Sequence, residues 1–296
     1  MALSLLAGSP GFLHAAEHNG YVIRSDVREV RLVFAASDAQ GNAVGGLSPS
    51  DIAVADNGVI VRRFRSFQAA SESPLDLVIL LDASDSISTQ LSIEIAELNQ
   101  LLRSTKWGER DRVSVVAFGG SRPTVLCAYR CQRFSMQAEL GAVRADGATP
   151  LYDALLLAIE LLQHDRNPDA RPAILLFSDG RDTSSIHSGS EALAAAQELQ
   201  SSIYCVNSRS AKWSSNRDGD AVLRYLAAET GGLSFGPGTE VQSALHSVLE
   251  DLRGGYILTY EVPRQTAGVH EVRILATGDP KLRFRSRRAY NNPEEK

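Results

Sequence analysis

Between residues 75 and 252, short apolar runs alternate with longer segments in which apolar residues return every three or four positions. The runs at 75–82, 112–118, 124–128, 173–178, 202–206 and 233–235 have the length of strands, and some are apolar without interruption, as in Leu77-Val78-Ile79-Leu80-Leu81. Such strands belong in the middle of a sheet covered on both sides, because a solvated face would show as alternation with polar residues. The spaced segments are helical. Ile87, Leu91, Ile95, Leu98 and Leu102 fall on one helix face. The same spacing predicts helices over 151–162, 191–199, 222–229 and 241–252, the last stopped by Gly254-Gly255. Strand and helix in alternation predict an α/β fold: a doubly wound, mostly parallel six-stranded sheet with helices on both faces.

The texture differs on either side of this region. Residues 22–67 read as β structure, with a strand at 28–34, a turn-rich stretch at 37–42, and Asp56-Asn57-Gly58 as a hairpin turn before a strand at 59–64. Residues 69–74 read as a linker. After the double glycine come strand candidates at 256–260, 272–275 and 282–285, with no helix between them. Neither flank is long enough to build a two-sheet core, and each alone would expose strand edges, so the two are expected to pair into one β domain. The alternative is a pair of independent, partly ordered tails. The chain then divides into a signal-like or disordered N-terminus (1–16), an N-terminal β segment (17–72), the α/β domain (73–253) and a C-terminal β segment (254–296) that pairs with the first.

Composition narrows the possibilities. The chain has 296 residues, 44% hydrophobic and 22% charged, which suits folded globular domains and excludes disordered and fibrous classes. A net charge of −5 repels a phosphate backbone, so nucleic acid is not an expected partner. No apolar run approaches the ~20 residues that a membrane-spanning helix requires. Residues 2–16 are mostly small or apolar, end in Leu13-His14-Ala15-Ala16 and precede the polar Glu17-His18-Asn19, like the tail of a secretory signal, although a basic n-region is missing. The two readings are a signal trimmed at its start and an apolar N-terminus. Export to a periplasmic, cell-envelope or extracellular location is the expectation. Cysteine usage agrees: Cys127 and Cys131 lie in a polar stretch, close enough for a small disulfide loop in an oxidising compartment, while Cys205, within Ile203-Tyr204-Cys205-Val206, reads as a buried, inert thiol.

The candidate chemistry sits at strand ends. Asp82-Ala83-Ser84-Asp85-Ser86 joins a buried strand to a helix. Alone, such a loop is more often an N-cap, whose side-chain oxygens satisfy the free N–H groups of the first helical turn. Two further signals strengthen it: Gly147-Ala148-Thr149-Pro150 opens the next long helix, and Phe177-Ser178-Asp179-Gly180 closes another buried strand. If strand order reverses between the strands ending near Asp82 and Asp179, these residues surround the switch point where open α/β sheets bind ligands. Three hydroxyls and two carboxylates form an all-oxygen donor set suited to Mg²⁺, Mn²⁺ or Ca²⁺ and not to zinc or copper.

These residues resemble the metal-ion-dependent adhesion site of the von Willebrand factor type A family, which has a Rossmann-like sheet. The family's Asp-x-Ser-x-Ser falls on Asp82, Ser84 and Ser86, its threonine on Thr149 and its second aspartate on Asp179. The resemblance implies that the serines and threonine contact the ion, that the aspartates act through water, and that an open coordination position captures an acidic side chain of a partner protein. The flanking β segments are similar to those of bacterial exported relatives of the family. One departure is Asp85, where the family commonly has glycine.

A binding module and not an enzyme is therefore expected. The alternatives are a metal-assisted hydrolase and a purely structural domain whose ion stiffens the loops. His187, a conceivable general base, reads as a solvated loop histidine because no activated nucleophile accompanies it. Arg283, Arg285, Arg287 and Arg288 form a short basic stripe that could touch an acidic surface or lipid headgroups, but alternation with Leu282 and Phe284 favours a solvated strand face.

Overall fold

The computed structural model describes residues 29–164, 166–207, 209, 217–263 and 267–292. The signal-like stretch and the expectations for residues 1–28 lie outside these.

The chain begins with β1 (Glu29–Ser37), β2 (Ile52–Asp56), β3 (Val59–Val61) and β4 (Ser66–Ala69). It continues as β5 (Leu75–Asp82), α1 (Leu91–Ser104), β6 (Arg112–Phe118), β7 (Thr124–Cys127), α2 (Gln137–Ala142), α3 (Leu151–Gln163), β8 (Arg171–Phe177), α4 (Gly189–Leu199), β9 (Ser202–Val206), α5 (Arg217–Thr230), β10 (Ser234–Phe235) and α6 (Val241–Gly254). It closes with β11 (Tyr256–Glu261), β12 (Gly268–Ala276), β13 (Arg283–Ser286) and β14 (Ala289–Asn292).

The middle of the chain forms a six-stranded sheet in the order β10-β9-β8-β5-β6-β7, parallel except for β7. Every residue of β5 is buried. Leu77, Ile79 and Leu81 pack with α1 and α6, and Val78 and Leu80 with α3, α4 and α5. The chain runs from β5 outward to β6 on one side, then returns to place β8 on the other side of β5. The order thus reverses at β5 and β8, as the strand-end argument required, and the two strands finish level, with Leu81 opposite Phe177.

At the opposite end of β5, Asp76 is buried with its carboxylate 3.3 Å from Arg112 Nε. Burial pushes this carboxyl up to about 6 from its ordinary 3.8, and Arg112 opposes the rise only in part. A folded-state pKa above the unfolded value means that the folded chain binds the proton more tightly, so this group's stabilisation is complete below about pH 4 and is lost as pH rises through about 6. The difference in unfolding free energy between wild type and Asp76→Asn is expected to fall across that window and level off above it. Urea titrations at several pH values measure this directly; a difference that does not change with pH would refute it.

The flanks form two four-stranded antiparallel sheets, β13-β1-β11-β4 and β14-β12-β2-β3, each mixing N- and C-terminal strands. β1 alternates buried and partly buried positions, as a strand with one face on a core must. Val30, Leu32, Phe34, Ile52, Val54, Leu258, Tyr260, Val272 and Ile274 fill the space between the sheets. The β2–β3 hairpin turns at Asn57 (φ 44°) and Gly58 (φ 79°), two successive positive φ values of the kind a two-residue turn needs to match strand twist.

Three expectations change. Residues 69–74 are not a linker: Ala70 is buried, its N–H donates to Gly255 O at 2.7 Å, and Ser73 is buried beside Arg171. A fourth C-terminal strand, β14, and the short helix α2 had no pattern long enough to declare them. The arginine stripe is a solvated face only at Arg283 and Arg288, which are exposed. Arg285 pairs with Asp251 of α6, Arg287 is buried and donates to Arg31 O at 3.0 Å and Gln197 O at 3.4 Å, and Arg288 pairs with Glu229 at 3.3 Å. These side chains fasten the sandwich to the α/β unit because each finds a carboxylate or backbone carbonyl there, and at the buried Arg287 those carbonyls replace water around the guanidinium.

Candidate functional site

β5 and β8 deliver their carboxylates to the same edge of the sheet. Asp82, the last residue of β5, is fully buried; Oδ1 accepts from Ser84 N at 2.9 Å and Oδ2 from Ser178 Oγ at 2.7 Å. Burial pushes this carboxyl up to about 6; hydrogen bonds from Ser178 and Ser84 oppose the shift, and the nearby charge of Asp179 adds to it. Asp179 is buried as well. Its Oδ1 accepts from Arg181 N at 3.1 Å, and its Oδ2 meets Arg209 Nη1 at 2.7 Å.

The hydroxyls come from two loops stitched together by backbone bonds. Ala83 N donates to Phe118 O at 2.7 Å, Asp146 N to Ala83 O at 2.8 Å, and Asp85 N to Gly147 O at 3.3 Å. Ser84 Oγ and Ser86 Oγ lie 3.1 Å apart. Ser84 precedes a 3-10 turn, yet its side chain makes no capping bond, so the N-cap explanation of this motif does not apply. Thr149 is buried, and its bonds to Thr183 use its backbone: Thr149 N donates to Thr183 Oγ1 at 2.7 Å, and Thr149 O accepts from Thr183 N at 2.9 Å. Asp85 is exposed and is not among the residues with positive φ, so the loop does not require the usual glycine there.

Gly180 turns the chain away from Asp179 at φ 78°, and a Cβ there would stand 2.1 Å from Gly219 O, so any side chain would force apart the loop that carries the carboxylate. The following residues do work that sequence reasoning missed. Pro150 precedes α3 and cannot cap it. Asp182 Oδ1 accepts instead from Leu151 N at 2.9 Å, and Ser185 Oγ from Tyr152 N at 3.0 Å and Asp153 N at 3.2 Å. Arg209, Ser178 and Thr183 were missed too. The available signal was position, since all of these follow the carboxyl ends of β8 and β9. His187 is exposed, with Nδ1 2.7 Å from Asp153 Oδ1.

Residues 77–181 match the sequence profile described as von Willebrand factor type A domain. This chain carries a von Willebrand factor type A domain. Among solved structures, proximal thread matrix protein 1 from the mussel byssus shares 14% identity at a TM-score of 0.50, over 67% of this chain and 51% of that one, which establishes a shared fold. The mussel protein has also been solved with a zinc-occupied MIDAS motif, a pairing at 16% identity and TM-score 0.47 over 60% of this chain and 48% of that one. An aerotolerance-related membrane protein from Bacteroides fragilis matches at 16% identity and TM-score 0.49 over 60% of this chain and 98% of its own. Manganese-loaded TRAP protein of Plasmodium vivax matches at 15% and 0.47 over 80% and 97%. Among curated proteins, none matches the sequence.

Among the described residues, no group of three or more His, Cys, Asp and Glu side chains could hold a metal. The type A domain offers two carboxylates and three hydroxyls instead. Arg209 balances Asp179, whereas the fully buried Asp82 has no cationic partner among the described residues. That combination fits a hard cation.

Proposed function

We propose that the type A domain binds a partner protein through a divalent cation, Mg²⁺ with Mn²⁺ or Ca²⁺ as substitutes, and performs no turnover. Ser84, Ser86 and Thr149 would hold the ion directly, with Asp82 and Asp179 acting through water. A bound cation supplies an electrophilic position for an acidic side chain of the partner. Hydroxyl donors suit this role because they add no negative charge of their own, and the hydrogen bonds that fix Asp82 and Asp179 keep both carboxylates oriented. The observation that carries this reading is the fully buried Asp82 carboxylate, which has no cationic partner among the described residues and is bonded to the loop that pairs the Ser84 and Ser86 hydroxyls. Export of the protein is proposed as well, supported by the Cys127–Cys131 disulfide. No helix among the described residues is long and apolar enough to cross a membrane.

The test is capture from the source organism's envelope fraction. Capture should vanish with EDTA, return with Mg²⁺, and weaken at least about tenfold, or about 1.4 kcal/mol, in Thr149→Ala without loss of fold. Binding that survives both chelation and Thr149→Ala would refute the mechanism.

A further inference from the structure

The loop after Asp179 presents an apolar side chain to solvent on an unusually firm base. Ile186 is 91% exposed, more than any other large hydrophobic residue among those described. Its own N–H donates to Asp153 Oδ2 at 3.0 Å, and that of His187 donates to Asp153 Oδ1 at 3.1 Å. On the N-terminal side, Asp182 and Ser185 are committed to the first turn of α3, and Thr183 exchanges bonds with Thr149. On the C-terminal side, Ser188 and Glu191 form a reciprocal capping box at the start of α4. The loop is therefore anchored to two helix N-termini at once, and Ile186 is its projecting point.

A single exposed apolar residue is ordinary. Its position and anchorage make this one unusual. Ile186 follows Thr183 by three residues, and Thr183 is hydrogen-bonded to Thr149, so the chain between can span at most about 11 Å. That bound keeps Ile186 within reach of one docked segment that also meets the Thr149 end of the site. Because the loop is already ordered, binding there would lose little conformational entropy. The exposed Arg181 lies on the same loop and favours negative charge on what docks.

We propose that Ile186 is a specificity contact of the metal site, selecting partners in which an aliphatic or aromatic side chain stands next to the captured acidic residue. This rests on the metal-dependent reading above. The occupant is a protein segment carrying a carboxylate and an adjacent apolar residue; the carboxylate goes to the cation site and the apolar group covers Ile186.

A display library of random peptides, panned on the full chain in Mn²⁺ and eluted with EDTA, provides the probe. Eluted peptides are expected to combine Asp or Glu with a neighbouring Ile, Leu, Val, Met or Phe. Their affinity should fall about tenfold in Ile186→Ser, the scale expected for one buried apolar side chain. The melting temperature and its response to Mn²⁺ should be the same in both proteins. Enrichment of acidic residues without apolar neighbours, or equal affinity for Ile186→Ser, would overturn the Ile186 assignment and leave the metal-dependent reading standing. Failure to recover any peptide that EDTA releases would overturn both.

Discussion

Stepwise addition of Mg²⁺ or Mn²⁺ will raise the melting temperature of the wild-type protein, and Asp82→Ala will abolish the rise. An ion bound only by the folded chain stabilises it by mass action, by about 2.7 kcal/mol at a hundred times its Kd. In a domain of this size that corresponds to about 5–10 °C. Asp82 is the residue to remove because it links both halves of the site, accepting from Ser84 on its own loop and from Ser178 beside Asp179. Alanine there deletes the buried carboxylate that has no other counter-charge among the described residues. Asp85→Ala is the matched control: it removes an exposed carboxylate from the same loop and should leave the response intact. Equal responses in wild type and Asp82→Ala would place the ion elsewhere.

The largest loss of stability is expected far from this site, in Asp56→Ala. Asp56 is fully buried in the sandwich; its Oδ1 meets His270 Nδ1 at 2.8 Å, and its Oδ2 accepts from Tyr260 at 2.7 Å and from Tyr290 at 2.8 Å. Burial raises the pKa of both tyrosine hydroxyls, and their bonds to Asp56 add to the effect, so both remain protonated donors. Removing the acceptor these three side chains share strands buried polar groups, which costs about 3–5 kcal/mol. The loss should appear in urea unfolding. Tyr260→Phe, which removes one donor and leaves Asp56 its other partners, should cost about 1 kcal/mol. If Asp56→Ala costs no more than Tyr260→Phe, Asp56 is not the hub of the network. The four residues come from β2, β11, β12 and β14, so the network also joins the N-terminal segment to the C-terminal one.

What could be read from the chain was what local patterns report. A run such as Leu77-Val78-Ile79-Leu80-Leu81 can be satisfied only by burial on both faces, which identifies a central strand without reference to anything else in the molecule. The same logic set the amphipathic helices, the Asn57-Gly58 turn, and the strand-end positions of Asp82 and Asp179. The five candidate metal residues were legible because each lies just past or just before an element that its own neighbours define.

Tertiary structure decided which partners those residues meet. Asp182 and Ser185 cap α3 from more than thirty positions away because Pro150 cannot, and no local pattern announces a cap supplied from another loop. Arg209 reaches Asp179 only because β9 lies beside β8. Alternation around Arg283 and Arg285 suggested a wet strand face, because periodicity reports which residues share a side of a strand and not what covers that side. Here the α/β unit covers Arg285 and Arg287 and leaves Arg283 and Arg288 exposed, and Asp251 and main-chain carbonyls replace water around the covered guanidinium groups. Burial periodicity belongs to each segment by itself, whereas polar partnership belongs to pairs brought together only when the sheets close.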